Sequence, residues 1–217
     1  ALSLCETTSG SFTVATSAIS PTYQWQYSTN PISTWTNTNG IVGMTGNNTP
    51  TLTYSNANVL YNNKYIRCVV TSTSGCVVYT NPVLLTVSFI PSVGAVSSNQ
   101  AICNGSLPSN DISISSASGT IQWQRADDAL FSVNVSNIGT NSTVLSIGEV
   151  GVLNVTTYFR AIVSNGSCVD AISGTIVINI NSTSWTSTGG GSWSNGVPTS
   201  VMTATILYDY TSSGDLN

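Results

Sequence analysis

The feature that most constrains the fold is an internal repeat. The tetrapeptide YQWQ at residues 23–26 returns as IQWQ at residues 121–124, so two tryptophans lie 98 positions apart, and each has a cysteine 20 residues before it. Further along, KYIRCVVTSTSGC at residues 64–76 matches TYFRAIVSNGSC at residues 157–168. Duplicated folding units repeat their whole frame of core positions. The sequence therefore predicts two copies of one module.

Each repeat consists of short, β-branched, alternating segments separated by turn residues. Segments such as SFTVATSA, TYQWQYS and GTIVINI follow one another without a helical period. This pattern, in units of roughly 90 residues, favours seven-stranded sandwiches. We predict an all-β chain of tandem immunoglobulin-like β-sandwich domains: residues 1–88, whose first strand is expected to be missing, residues 89–181, and the start of a further, incomplete β-rich unit at residues 182–217.

The alternation of side chains assigns the predicted strands a buried face and an outward face. The aromatic residues that recur in both repeats are the predicted core anchors: Trp25, Trp123, Tyr65 and Tyr158. The two tryptophans are expected to point inward between glutamines. On the later strand, alternation separates Tyr65 and Arg67 from the apolar face that carries Ile66 and Cys68.

The cysteine positions predict disulfides and therefore an oxidising, extracellular location. Each repeat holds one early and one late cysteine, which predicts the pairs Cys5 with Cys76 and Cys103 with Cys168. Cys68 is left over and is predicted to be a free, buried thiol. A link between Cys5 and Cys68 stays open as an alternative, because early and late strands are commonly bridged in sandwich domains.

The charge content excludes several classes of function. The chain has 4 Lys and Arg, 8 Asp and Glu and no His, so it lacks the clustered cations with which proteins bind nucleic acid. No stretch of 18 apolar residues is present, so we expect no membrane insertion in this segment. Neither a nucleophile motif nor a His base occurs, which predicts a protein that is not an enzyme and needs no cofactor.

Two kinds of binding residue remain as candidates. Asp127 and Asp128 are adjacent acids in a predicted loop, but calcium requires six to eight oxygen ligands, so they are weak metal candidates and no metal is expected. Trp35, Trp185 and Trp193 are candidate glycan-binding residues, because exposed rings stack on sugars. For Trp35 we favour an inner strand position aligned with Val133, and for the other two the core of the last unit.

The joint pattern of the cysteines, the QWQ motif, Y-x-R and the C-terminal GGGSWSNGVPTS resembles the immunoglobulin-like repeats of large surface proteins in Bacteroidetes. This resemblance implies export by the type IX secretion system and a bacterial cell-surface location. It also implies kinship with gliding adhesins of the SprB kind and with multidomain secreted enzymes. It supplies no catalytic residues.

The favoured function is a structural stalk segment of an extracellular adhesin or surface filament. Surface positions differ between the repeats, for example Trp35 against Val133 and Tyr27 against Arg125, which argues against a repeated binding face. The alternative is an accessory, carbohydrate-binding module of a secreted polysaccharide-degrading enzyme. Expected partners are other domains of the same chain, surface glycans, or neighbouring copies in a filament.

Overall fold

A computed structural model describes residues 1–32, 34–181, 183–186, 192–193 and 204–206, the last three ranges for their backbone only. Nearly every element in these ranges is a β-strand. The two helices found there, a 3-10 turn at Val59–Tyr61 and an α-helical turn at Ile147–Val150, are each a single turn. The predicted all-β class is confirmed. In the described part of the chain, no helix has the length and apolar character needed to cross a membrane.

The first repeat is a sandwich of two sheets. Its larger sheet has the order β1-β9-β7-β3-β4, with β8 also on β7, and its smaller sheet has the order β2-β6-β5. The strands are β1 Leu2–Cys5, β2 Gly10–Thr13, β3 Thr22–Ser28, β4 Thr36–Asn37, β5 Met44–Thr45, β6 Thr51–Tyr54, β7 Lys64–Thr71, β8 Val77–Tyr79 and β9 Val83–Ser88. β1 runs parallel to β9, whereas the other pairs are antiparallel.

The second repeat builds the same large sheet. Its order is β11-β19-β17-β14-β15, with β18 on β17, and the opposite layer consists of the pairs β10-β13 and β12-β16. The strands are β10 Ser92–Val93, β11 Gln100–Cys103, β12 Ile112–Ser113, β13 Ala117–Ser118, β14 Thr120–Ala126, β15 Ser136–Ile138, β16 Val144–Leu145, β17 Thr157–Ser164, β18 Ala171–Ile172 and β19 Ile176–Asn181.

Each repeat has its own hydrophobic core around the tryptophan of the QWQ motif. Trp25 is 3% exposed and Trp123 is fully buried. The indole Nε1–H of Trp25 donates to the carbonyl of Thr49 at 2.9 Å, and that of Trp123 donates to Ser142 at 2.9 Å. Buried indole N–H groups need such a partner. The QWQ motif therefore places the same buried indole, with the same kind of hydrogen bond to a loop carbonyl, in the core of each repeat.

The two tyrosines predicted as core anchors lie elsewhere. Tyr65 and Tyr158 are only half-buried, while their strand neighbours Ile66 and Phe159 are buried in the cores. The period of two along β7 and β17 turns the tyrosines to the outer face of the sheet. The prediction that they are core anchors is wrong. The outward orientation that alternation predicts for this face of the strand is correct.

The chain folds into two compact units that differ from the sequence repeats in one segment. The first unit contains Ala1–Pro91 together with Ser164–Asp170, which is the loop after β17. The second unit contains Ser92–Val163 and the described residues from Ala171 onward. The second repeat thus contributes one loop to the first unit.

After the second repeat, the described ranges include three further strands: β20 Thr183–Thr186, β21 Ser192–Trp193 and β22 Ala204–Ile206. β20 pairs with β21 in the antiparallel sense and with β22 in the parallel sense, and Trp185 lies opposite Trp193 in the register. The side chains of these strands lie outside the described part of the structure, as does the interpretation of both tryptophans as glycan ligands or core residues.

Candidate functional site

The outer face of the large sheet carries a hydrogen-bonded arginine in the first repeat. Arg67 on β7 donates from Nε at 2.9 Å and from Nη2 at 2.8 Å to Oε1 of Gln26 on β3, where the two residues are register partners. The amide of Gln26 donates in turn to Oδ1 of Asn37 on β4 at 3.0 Å. One glutamine therefore ties three neighbouring strands together and fixes the guanidinium.

The second repeat reproduces this arrangement atom by atom. Arg160 donates from Nε at 3.1 Å and Nη2 at 2.9 Å to Oε1 of Gln124, whose amide donates to Oδ1 of Asn137 at 3.1 Å. We define Asn37, Gln26 and Arg67, with their counterparts Asn137, Gln124 and Arg160, as the arginine face. The second glutamine of each QWQ motif is thus part of a repeated network.

Each arginine of this face is covered by an aromatic ring. The guanidinium carbon of Arg67 lies 4.1 Å from the centroid of Trp35 and 4.5 Å from that of Tyr79, and that of Arg160 lies 4.0 Å from the centroid of Phe131. Stacking of this kind is a favourable cation–π contact. Partial burial lowers the pKa of Arg67, and the charge of Tyr79 opposes that shift.

The prediction that Trp35 occupies an inward-facing strand position is wrong. Trp35 is half-buried immediately before β4, outside the core cluster of the first repeat, and its ring covers Arg67. Strand register also aligns it with Val135 rather than Val133, because Asn37 and Asn137 oppose equivalent glutamines. The residue that covers the arginine in the second repeat, Phe131, comes from another loop position and was missed by alignment.

The repeats do share one outer feature, because the arginine face recurs with all three polar residues. The expectation that they share no binding face stays a prediction. A sequence signal for the arginine face existed: Gln26 and Arg67 recur as Gln124 and Arg160, and alternation turns all four side chains outward. What the sequence did not show is that different loop residues supply the ring over each arginine.

The loop that presents Phe131 is organised by Asp128. Its Oδ1 accepts from the amides of Ser132 and Val133, both at 2.8 Å, and its Oδ2 accepts from the Ser132 hydroxyl at 2.8 Å and the Leu130 amide at 3.2 Å. These bonds, led by the one from Val133, lower the pKa of Asp128. Phe131 itself adopts a left-handed φ of 55°, which is unusual for a bulky residue.

The adjacent Asp127 accepts from the side-chain amide of Asn134 at 2.7 Å. Both carboxylates thus serve the loop's own donors. Among the described residues, no three or more Cys, Asp or Glu side chains are grouped so that they could hold a metal ion. The calcium interpretation of Asp127 and Asp128 gains no support from this geometry.

The cysteines do not pair within the repeats. Cys5 on β1 forms a disulfide with Cys168, across 163 residues of sequence, and both residues belong to the first unit. Cys76 and Cys103 are free thiols. The predicted pairs Cys5–Cys76 and Cys103–Cys168 are therefore absent, because the loop carrying Cys168 packs in the first unit rather than against β11 of its own repeat.

Cys68 is a buried free thiol opposite Trp25 on the neighbouring strand. Burial raises its pKa, and a hydrogen bond from the Gln24 backbone opposes the shift. Because the thiolate is the reactive form, this environment makes Cys68 an inert core residue.

A family described as a domain of unknown function, DUF8696, matches residues 1–89 and again residues 92–182. The chain belongs to the DUF8696 family. A search of the curated proteins found no match.

Solved structures show the fold of the DUF8696 repeats. Murine CEACAM1b is similar with a TM-score of 0.58 at 13% identity, and the match covers 82% of this chain and 96% of that one. The N-terminal four Ig domains of Dscam1 isoform 6.9 match with a TM-score of 0.46 at 18% identity, covering 83% of this chain. The chain spans 43% of the length of that Dscam1 fragment. The predicted immunoglobulin-like sandwich is confirmed.

Replacing Arg67 by Lys tests the arginine face. Lysine cannot donate two parallel bonds to one amide oxygen while stacking on a ring. We expect the free energy of unfolding of the first DUF8696 repeat to fall by about 1 kcal/mol in urea denaturation. Arg125→Lys is the matched control, since Arg125 is a half-buried arginine outside these stacks. Equal effects of the two changes would contradict the role of Arg67.

Substitution of two tryptophans tests which of them stabilises the core of the first repeat. Trp25→Phe removes a bonded N–H and leaves the Thr49 carbonyl without its donor, so stability should fall by about 1–3 kcal/mol. The Nε1 of Trp35 is buried without a partner. Trp35→Phe therefore removes an unsatisfied donor while keeping a ring over Arg67, and stability should stay level or rise in the same denaturation experiment. A comparable loss in both variants would refute this assignment.

Asp128 makes the loop of the second DUF8696 repeat sensitive to acid. Its lowered pKa means that the ionised carboxylate stabilises the folded state fully above the ordinary value of 3.8, and that this contribution is lost as the pH falls through the lower folded pKa. Asp128→Asn should speed hydrogen exchange at the Leu130, Ser132 and Val133 amides. Asp170→Asn, at an exposed site outside this loop, should leave these rates unchanged.

Proposed function

We propose that this chain is a non-catalytic structural segment of an extracellular surface protein, in which tandem immunoglobulin-like repeats form a stalk. The observation that carries the proposal is the disulfide between Cys5 and Cys168. It closes a loop that contains almost all of both repeats. Disulfides persist outside the reducing cytosol, which supports an extracellular location.

The disulfide gives the chain a covalent route for tension. A force applied to the chain before Cys5 and after Cys168 passes through the sulfur–sulfur bond, so the hydrogen bonds among the enclosed strands β2 to β17 carry no load. Strands β18 and β19 follow Cys168 and stay in the loaded part of the chain. Sheets unfold under tension when their strand pairs separate, whereas a covalent bond does not yield at comparable forces. Such a segment keeps its length under stress, which is the property that a stalk requires.

The arginine face adds to the rigidity of each repeat. Its glutamines link three strands, and its arginines are held between an amide oxygen and an aromatic ring. The recurring asparagine, glutamine and arginine of this face are thereby hydrogen-bonded to one another within each repeat. This arrangement supports a structural role for the recurring residues.

The finer proposal follows from the sequence resemblance: a stalk segment of a Bacteroidetes cell-surface adhesin of the SprB kind, exported by type IX secretion and used in adhesion or gliding, with further domains of the same chain as its partners. The alternative, a glycan-binding module of a polysaccharide-degrading enzyme, has less support. The guanidinium of Arg67 occupies one face of Trp35, a face that a sugar would need.

Single-molecule stretching tests the proposed function. With handles at the two ends of the chain, reduction should add about 163 residues of extensible polypeptide, roughly 540–590 Å at 3.3–3.6 Å per residue. Cys168→Ser should behave like the reduced chain without any reductant. Cys68→Ser is the control and should behave like the parent, since Cys68 is a free thiol.

An extension that is the same before and after reduction would remove the load-bearing role. Alkylation under denaturing conditions accompanies the experiment and should label three cysteines per chain, namely Cys68, Cys76 and Cys103. Labelling of a single cysteine would instead indicate the two pairings within the repeats.

A further inference from the structure

The two repeats carry a strand cysteine at the same position. Cys5 lies opposite Ser88 at the end of the parallel pair β1 and β9, and Cys103 lies opposite Asn181 at the end of the parallel pair β11 and β19. The turn that follows is also the same: Thr8 donates its amide to the Cys5 carbonyl at 3.1 Å, and Ser106 donates to Cys103 at 3.2 Å. Cys103 is therefore the counterpart of Cys5.

Each repeat also carries a loop cysteine. Cys168 lies in the loop between β17 and β18, and Cys76 lies in the matching loop between β7 and β8, one position later by strand register. In the structure the strand cysteine of the first repeat is bonded to the loop cysteine of the second. The two thiols left over are the complementary halves of the same pair: a loop cysteine, Cys76, and a strand cysteine, Cys103.

The bonded pair sits in a built joint within the first unit. The side-chain amide of Asn165 donates to the carbonyl of Phe89 at 2.8 Å, and the sulfur of Cys168 lies 3.2 Å from the same oxygen. A Cβ at Gly166 would collide with the hydroxyl oxygen of Ser88, so glycine permits the close approach. The loop thus receives the end of β9 and the residue that follows it.

Both free thiols line grooves, and the groove at Cys76 is the more apolar of the two. Cys76 is exposed and lines a groove of about 300 Å³ together with Val14, Ala18, Val70 and Val78. Cys103 lines a second groove of about 300 Å³, and its neighbour there, Leu107, is half exposed. Each half of the unused pair therefore adjoins apolar surface that another protein surface could cover.

We propose that Cys103 of one copy of this chain forms a disulfide with Cys76 of another copy, head to tail, in the same pairing of strand cysteine with loop cysteine that Cys5 and Cys168 form. The occupant of both grooves is thus another DUF8696 repeat. The inference rests on the proposed structural function and extends it by naming the partner. Repetition of this bond links successive copies into one covalent chain of repeats.

The chemistry needs an oxidant, which is a small-molecule disulfide such as oxidised glutathione. The Cys76 thiolate attacks the disulfide, forms a mixed disulfide and releases one glutathione thiolate. The Cys103 thiolate then attacks the Cys76 sulfur and releases the second. The two cysteine thiols lose two protons and two electrons, and one glutathione disulfide becomes two glutathione thiols.

The test uses the 217-residue chain in a buffer of reduced and oxidised glutathione, with non-reducing electrophoresis and peptide mapping of disulfides. The parent chain should form a ladder of multimers joined by Cys76–Cys103 bonds. Cys76→Ser alone and Cys103→Ser alone should stay monomeric. A mixture of these two variants should give a dimer and nothing larger, because each retains one complementary half. Cys68→Ser is the matched control and should form the full ladder.

Several results would overturn the inference. These are dimers from either single variant alone, a map dominated by Cys76–Cys76 or Cys103–Cys103 bonds, a monomer that has joined both thiols internally, or no ladder at all. The map also reports the Cys5–Cys168 bond in every variant, which shows that the joint has folded. If that bond is present and the ladder is absent, the inference fails while the proposed function stands; if that bond is missing, both fail.

Discussion

The indole N–H of one buried tryptophan donates to a loop carbonyl in each repeat, and the other features of the repeat depend on that contact. Trp25 reaches Thr49 before β6, and Trp123 reaches Ser142 before β16. A large ring that is bonded at its far edge fixes both the depth and the register of its strand. The flanking glutamines must then face outward, where the second of each pair meets an arginine.

The disulfide connects residues much farther apart in the sequence than the tryptophan contacts do. The tryptophans make each repeat a separate folding core, whereas the bond between Cys5 and Cys168 connects positions 163 residues apart. Closing so long a loop in the unfolded chain removes much of its conformational entropy, so the bond also favours the folded state. This bond uses two of the five cysteines, and the other three are free thiols: Cys68 is buried, Cys103 is half-buried and Cys76 is exposed.

Part of the candidate site can be predicted from the sequence. The recurrence of Gln26 and Arg67 as Gln124 and Arg160, with alternation along the strands, is enough to predict that these side chains face outward in both repeats. The pairing of their strands and the contacts of Asn37 and Asn137 came from the structure. The aromatic rings that stack on the two arginines could not be predicted, because Trp35 and Phe131 do not align in the sequence. They reach equivalent arginines from different loop positions, and a loop of variable length keeps no register that sequence comparison can follow.

The sequence by itself determined the repeat, the all-β class and the inward tryptophans, because these depend on local periodicity and on residues that recur at fixed spacing. Only the tertiary structure decided which cysteines meet. Disulfide formation requires two Cα atoms within about 7 Å, and spacing along a chain does not report distance between strands and loops. The loop that carries Cys168 packs beside β1 of the other repeat, with Cα atoms 4.7 Å apart at the bond, and this placement overrides the pairing that the repeat pattern suggests.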